Sequence, residues 1–183
     1  VTTYDFNDGN GPVPAHKHRN GGGWVAGTAT VNESAYVGHN ARVSGTARVY
    51  GDARVSGTAR VYGDAWVYGD AWVYGDARVY GTARVYGDAW VYGDAWVYDN
   101  ARVYGDAWVC GTAQVYDNAR VYGDAWVCGT ARVSGDTRLT RGNAFATQHD
   151  DWQITEVSNG DGTTTLYANA EFDPFDNDTS EFL

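Results

Sequence analysis

Apolar and polar positions alternate along most of this chain in units of six. From Trp24 onward the sequence repeats Gly-Asp-Ala-(Arg or Trp)-Val-Tyr. Val stands at every sixth position from Val25 to Val133, nineteen in succession, and Leu139 continues the series. Ala stands two residues before Val from Ala29 to Ala131, eighteen in succession. Two small apolar positions separated by one variable position mark a strand, because alternate side chains point the same way. The variable position is Arg ten times and Trp seven times between residues 24 and 138. A buried column could not hold unpaired guanidinium groups. Ala and Val therefore face inward, while Trp, Arg and most of the Tyr face outward.

Between these short strands Gly is followed by Asp, Thr or Asn, which is turn chemistry. Asp99, Asp117 and His39 replace that Gly, and Asp tolerates left-handed backbone better than most residues. Strand and turn together fill only six residues, too few for an ordinary hairpin, so the chain winds as a coil. On these hexads (Val67 to Ala71, Val73 to Ala77, Val79 to Ala83 and so on) the sequence resembles the hexapeptide-repeat left-handed β-helix family. That family shares its fold with trimeric acyltransferases. The resemblance spans residues 24–140, and it implies three hexads per triangular coil of 18 residues. About six and a half coils follow, roughly 31 Å long at ~4.8 Å per coil. One departure affects the corners: Tyr follows the aliphatic residue here, and Gly comes one position later.

The fold expected is therefore all-β, a left-handed triangular parallel β-helix with a cap at each end. Residues 1–23 form a turn-rich N-terminal cap or arm, and residues 24–140 the solenoid. Residues 141–183 form a C-terminal hairpin cap and an acidic tail. The period slips by one at Arg141-Gly142-Asn143. Alternating strands at Trp152–Val157 and Thr163–Ala170 flank the hairpin signal Ser158-Asn159-Gly160-Asp161-Gly162. A thin core of Val and Ala leaves stability to repetition and inter-coil hydrogen bonds, and open coil ends expose unpaired strands.

Residues 18 apart share a face, so the outward positions sort into three columns. The first holds Tyr36, Arg54, Trp72, Trp90, Trp108 and Trp126. The second holds Trp24, Arg42, Arg60, Arg78, Trp96, Gln114 and Arg132. The third holds Thr30, Arg48, Trp66, Arg84, Arg102, Arg120 and Arg138. One face is a four-Trp ladder and the other two are mainly Arg.

Composition narrows the function classes. The net charge is −10, but residues 24–140 carry only −2 of it and residues 141–183 carry −8. That balance argues against a nucleic-acid binder. No apolar run approaches the ~18 residues that cross a membrane, so membrane insertion is not expected. A charged-then-apolar leader is also missing from the first residues. Apolar content of 43% with 20% charged residues is too sticky for a disordered chain.

Several candidate sites follow. The stripe Trp72, Trp90, Trp108 and Trp126 reads either as a stabilising stack or as an interface. Arg84, Arg102 and Arg120 join it as candidate binding residues, because Trp and Arg are both enriched in interfaces. The column Asp52, Asp70, Asp88, Asp106 and Asp124 needs compensation. Arg48, Arg84, Arg102 and Arg120, four residues upstream of Asp52, Asp88, Asp106 and Asp124, are the expected partners, with a Ca²⁺ row as the alternative. Cys110 and Cys128 lie 18 apart and are within reach of a disulfide, with free thiols an equal alternative. His16-Lys17-His18 could touch a metal, although surface histidines are the simpler reading. His39 is the one histidine of the coil, and no inserted loop breaks residues 24–140. The acyltransferases and zinc carbonic anhydrases of this fold use an active-site His or three His ligands. Their absence here points away from an enzyme, a cofactor or a metal.

The function expected is thus a non-enzymatic, self-assembling structural solenoid that makes protein contacts through its aromatic and Arg faces. The chain also resembles the highly regular, non-enzymatic repeat proteins of bacteria and phages, with His16–Ala26 leading into the repeats. That likeness implies an extracellular, cell-surface or virion setting, as a filament, surface or particle component. The alternative is a carbohydrate-binding module that stacks a polysaccharide on the Trp ladder. Ice binding is a third and weaker alternative, because Trp and Arg stand where regular Thr arrays would be needed.

Overall fold

A computed structural model describes residues 2–141, 143–146, 152–158 and 164–170 of the chain. Among these the secondary structure is entirely β. Short strands fall into three sheets of eleven, seven and seven strands, and successive strands of the chain visit the three sheets in turn. In the sheet running from Thr30 to Arg138, seven rungs stand 18 residues apart, which makes about six turns of a parallel β-solenoid. The columns read from the sequence are the observed registers. Trp72 pairs with Trp90, Arg42 with Arg60, and Arg102 with Arg120.

Each turn is stitched to the next by backbone hydrogen bonds. Trp72 N–H donates to Ala89 O at 2.9 Å, Tyr74 to Val91 O at 3.0 Å, and Asp76 to Gly93 O at 2.8 Å. Inside the coil the Ala and Val columns form one continuous core, fully buried from Ala35 to Val133 and closed by Leu139. Each Val contributes about 1.5–2 kcal/mol of burial.

Corners are made by Gly in left-handed backbone, for example Gly75 at φ 73° and Gly93 at φ 72°. Space enforces the same choice, since a Cβ on Gly75 would lie 3.0 Å from both N and O of Gly93 in the next coil. Asp99 and Asp117 take over the corner at φ 55° and 56°, as the turn reading expects. His39 does not: among the described non-Gly residues its φ is not positive. Its corner lies where the N-terminal segment pairs with the first coil, through an isolated bridge between Gly22 and Gly38 and a hydrogen bond from Gly23 N–H to Val37 O at 2.9 Å. The corner is still closed as a turn, Ala41 N–H donating to Gly38 O at 2.8 Å, with His39 outside the left-handed region.

The N-terminal segment is more regular than its turn-rich composition suggests. Thr3–Asp5 and Pro12–Lys17 form an antiparallel hairpin, and Pro12–Lys17 pairs antiparallel with Trp24–Ala26 of the first coil. Phe6, Ala15 and Ala26 make a small second core beneath it. The open sheet edge is thereby covered. At the other end Asn143–Ala146 continues the Trp column, with Trp126 opposite Asn143. That spacing is 17 residues, the one-residue slip seen in the sequence. Trp152–Ser158 and Thr164–Ala170 pair antiparallel as a hairpin, and Gln153 lies opposite Arg132. Most of the intervening turn and the acidic segment 171–183 lie outside the described residues.

Candidate functional site

Parallel, in-register strands force identical side chains to stack, and the outer surface follows from that rule. On the Trp face the indoles of Trp72, Trp90, Trp108 and Trp126 lie nearly parallel. Their centroids are 5.0, 5.2 and 4.9 Å apart and their planes differ by 2°, 8° and 6°. Each ring covers the face of the next, so what reaches solvent along the ladder is mainly indole edges. Trp126 is the most open at 41% exposed. Tyr74 and Tyr92 meet the ladder edge-on, 6.0 Å from Trp90 and 6.2 Å from Trp108. Below the first indole, Arg54 lies over Trp72 at 4.9 Å.

The same cation-on-ring contact recurs on the other faces. Trp66 is flanked by Arg48 at 4.8 Å and Arg84 at 5.4 Å, one coil before and one coil after. Arg78 sits 4.9 Å from the Trp96 ring. These contacts correct the expected Arg–Asp pairing. Among the described residues Arg48, Arg84, Arg102 and Arg120 have no carboxylate within ion-pair distance, and Asp52, Asp88, Asp106 and Asp124 are exposed. The physical reason is direction. An outward mid-strand guanidinium lies above its neighbour one coil away, where an indole offers a flat face ~4.8 Å distant. The Asp lies beyond the corner. Arg102 stands in register between Arg84 and Arg120, so the third face is a cationic column.

Tyr forms further ladders at the corners. Tyr68, Tyr86, Tyr104 and Tyr122 are spaced by 4.8 Å at each step. Tyr62, Tyr80, Tyr98 and Tyr116 are spaced by 4.8, 5.0 and 5.0 Å. Burial, with smaller contributions from Tyr62, Tyr98 and Asp99, pushes the Tyr80 phenol up to about 12 against an opposing Arg78. Burial raises Tyr86 as well, and Arg102 and Arg120 counter it. In the third corner Tyr74 and Tyr92 stack at 5.0 Å, and Cys110 and Cys128 then take over the column. The structure joins these two as a disulfide across adjacent coils, with Cα atoms 4.5 Å apart.

Polar corners interleave donors with acceptors. Thr46 donates to Asp64 and Thr58 to Asp76. Thr82 donates to Asn100 Oδ1 at 2.6 Å, and Asn118 Nδ2 donates to Asp136 at 3.2 Å. His18 is buried at 6% exposure, and its Nε2–H donates to Ala35 O at 2.9 Å. This ring pins the cap to the coil, while His16 is exposed. No group of three or more metal-ligating side chains occurs among the described residues.

One feature escapes the columnar reading because it depends on the hairpin. Arg42, Arg60 and Arg78 form a ridge between two clefts at the N-terminal end, of about 460 and 480 Å³. Tyr4 and Trp24 line the first cleft, and Phe6 and Tyr62 line the second. Phe6, Asn7, Asp8 and Asn10 wall the second cleft and Tyr4 closes one side of the first, and no repeat signal marks this overhang.

A family model described as YdcK Beta solenoid repeat matches residues 47–58, 59–75, 83–99, 95–111 and 113–129. All five matches fall within the coiled region. No curated protein and no solved structure matches the chain. The repeat matches and the observed rungs together make this a repeat β-solenoid protein with aromatic and Arg ladders on its surface.

Proposed function

We propose that this chain is a non-enzymatic structural solenoid that self-assembles through its aromatic and Arg faces, as a component of a filament, cell surface or phage particle. The reading includes the hexapeptide-repeat, left-handed type of coil. One observation carries it: all three faces repeat at a single coil pitch, with no inserted loop between Arg42 and Leu139. Two copies laid side by side are therefore commensurate. Once one rung of the Arg84–Arg102–Arg120 column meets one rung of the Trp72–Trp126 ladder, each following rung meets its counterpart. Within the chain Arg and Trp are already neighbours at this pitch, with the guanidinium over the indole face, at Arg54–Trp72 and Arg78–Trp96.

The Cys110–Cys128 disulfide supports an extracellular or virion setting, because such bonds persist in oxidising compartments. A carbohydrate-binding module is less well supported. Sugar stacking needs a free ring face, and the indoles of Trp72, Trp90 and Trp108 are covered by their neighbours at about 5 Å.

Sedimentation of the full chain tests the proposal, with Trp90→Arg/Trp108→Arg as the variant. Arg is native to this column at position 54, so the coil tolerates it. Loss of association in a variant that still melts cooperatively, at a temperature lowered by no more than the lost ring stacking accounts for, supports the reading. Unchanged association in the variant sinks the Trp face as an interface, and glycan binding lost by the same variant would favour the module.

A further inference from the structure

We propose that the ridge of Arg42, Arg60 and Arg78 binds the acidic segment 171–183 of a second copy, joining solenoids head to tail. The inference rests on the self-assembly reading and names one contact for it. The three arginines are in register on successive rungs, Arg42 opposite Arg60 and Arg60 opposite Arg78. Their Cα positions thus recur at about the coil spacing of ~4.8 Å, which gathers three cationic side chains on one strip. No carboxylate within ion-pair distance relieves them among the described residues. Asp76 accepts from Thr58, and Asp8 accepts from Asn10 N–H at 3.0 Å. Arg42 is held over the Tyr4 ring at 5.4 Å, and its Nη1 is buried with no hydrogen-bond partner. A buried, unpaired charged donor is costly, and the Arg42 side chain that carries it lines both clefts.

The chain holds a matching partner. Residues 171–183 contain Glu171, Asp173, Asp176, Asp178 and Glu181 with no Lys or Arg, interleaved with Phe172, Phe175 and Phe182. Carboxylates suit the guanidinium ridge bidentately. The phenylalanines suit clefts walled by Tyr4, Trp24, Phe6 and Tyr62. Position favours a second copy. Thr164–Ala170 lies at the C-terminal end of the sheet that carries Arg42, Arg60 and Arg78 near its other end. To reach its own Arg78 the segment would have to run back over the Trp96, Gln114 and Arg132 rungs. In an end-on neighbour the nearest arginine, Arg42, lies behind three strands, Thr3–Asp5, Pro12–Lys17 and Trp24–Ala26, one fewer than separate Thr164–Ala170 from its own Arg78.

The test uses a fluorescent peptide of residues 171–183 and the full chain at low salt, read by anisotropy. The first titrant is the full chain with its own segment neutralised (Glu171→Gln, Asp173→Asn, Asp176→Asn, Asp178→Asn, Glu181→Gln). Binding to it is expected, falling at least tenfold with Arg42→Gln/Arg60→Gln/Arg78→Gln added. Gln114 occupies the same column natively, so the coil tolerates that change. The wild-type chain is expected to bind the peptide within about threefold of the neutralised chain. Wild-type affinity reduced tenfold or more would mean that each copy occupies its own ridge, and overturns the second-copy assignment. Binding indifferent to the three Arg substitutions, or no binding, overturns the inference. An oligouronate that binds through these arginines where the peptide does not would assign the ridge to an external polyanion, and also overturns it. Sedimentation separates this failure from the broader one. A wild-type chain that associates without peptide binding leaves self-assembly standing, whereas one that never associates removes both.

Discussion

Arg54 lays its guanidinium 4.9 Å from the centre of the Trp72 indole, one coil further along. The contact closes one end of the Trp ladder with a cation and explains how Arg and Trp share an outward column without carboxylate partners. An exposed cation–π pair is worth about 0.5–1 kcal/mol. Arg54→Gln should therefore lower stability by about that amount in urea unfolding, with little change in the m-value. A loss above 3 kcal/mol would show that Arg54 does something other than cap the ladder.

Corner glycines are required for two separable reasons. Gly135 has φ 65° but open space around its missing Cβ, whereas Gly75 at φ 73° has Gly93 backbone atoms at 3.0 Å. Gly135→Ala should cost about 1–2 kcal/mol from backbone strain alone. Gly75→Ala should cost clearly more, because adjacent coils must also part. Equal costs in thermal melts would mean that inter-coil contact does not limit the corner.

The Cys110–Cys128 bond ties two coils next to the point where the Tyr74–Tyr92 stack ends. Closing a loop of this length stabilises by about 3 kcal/mol in the chain-entropy account. Cys110→Ser/Cys128→Ser, or reduction of the native chain, should lower the melting temperature. Thiol titration of the unreduced chain should find no free Cys. Two titratable thiols in the chain as isolated would contradict the bonded form.

Alkaline pH should unwind the Tyr ladders. The Tyr80 phenol is raised to about 12, above its ordinary value near 10, so the folded chain holds that proton more tightly than the unfolded chain. Its stabilising contribution is complete below about pH 10 and lost as pH rises towards 12. Tyr62, Tyr86 and Tyr98 are raised in the same direction by burial. Melting temperature should fall over this window, and tyrosinate absorbance should appear later in the folded chain than in the unfolded one. Absorbance that titrates identically in both states would show that the stacked phenols are not shielded.

The coil was legible because its signal is periodic. A strict spacing of 18 places Trp72 against Trp90 and Arg102 against Arg120 whatever the side chains do. Side-chain partners were less legible. Arg84 and Asp88 sit at a spacing that suggests pairing, yet the guanidinium reaches the Trp66 ring instead, since mid-strand direction rather than sequence distance decides what it meets. Asp99 and His39 hold the same repeat position. Only Asp99 adopts the left-handed corner; His39 follows Gly38, which bridges to Gly22, and its turn closes without a positive φ. The hairpin strand Pro12–Lys17 was hidden by Pro12 and Pro14, residues that read as turn formers; both sit in the first half of the strand, which pairs with Thr3–Asp5 alone, while only Ala15–Lys17 pair on the other side. The Arg42–Arg60–Arg78 clefts were hidden with it.

Sedimentation velocity on the full chain, over a concentration series at low and at high salt, tests the central claim most directly. Self-assembly through commensurate Arg and Trp faces predicts mass that grows with concentration at low salt and falls back toward a single chain at high salt. A single-chain species at every concentration and salt would contradict it, leaving the ladders as internal supports of an isolated solenoid.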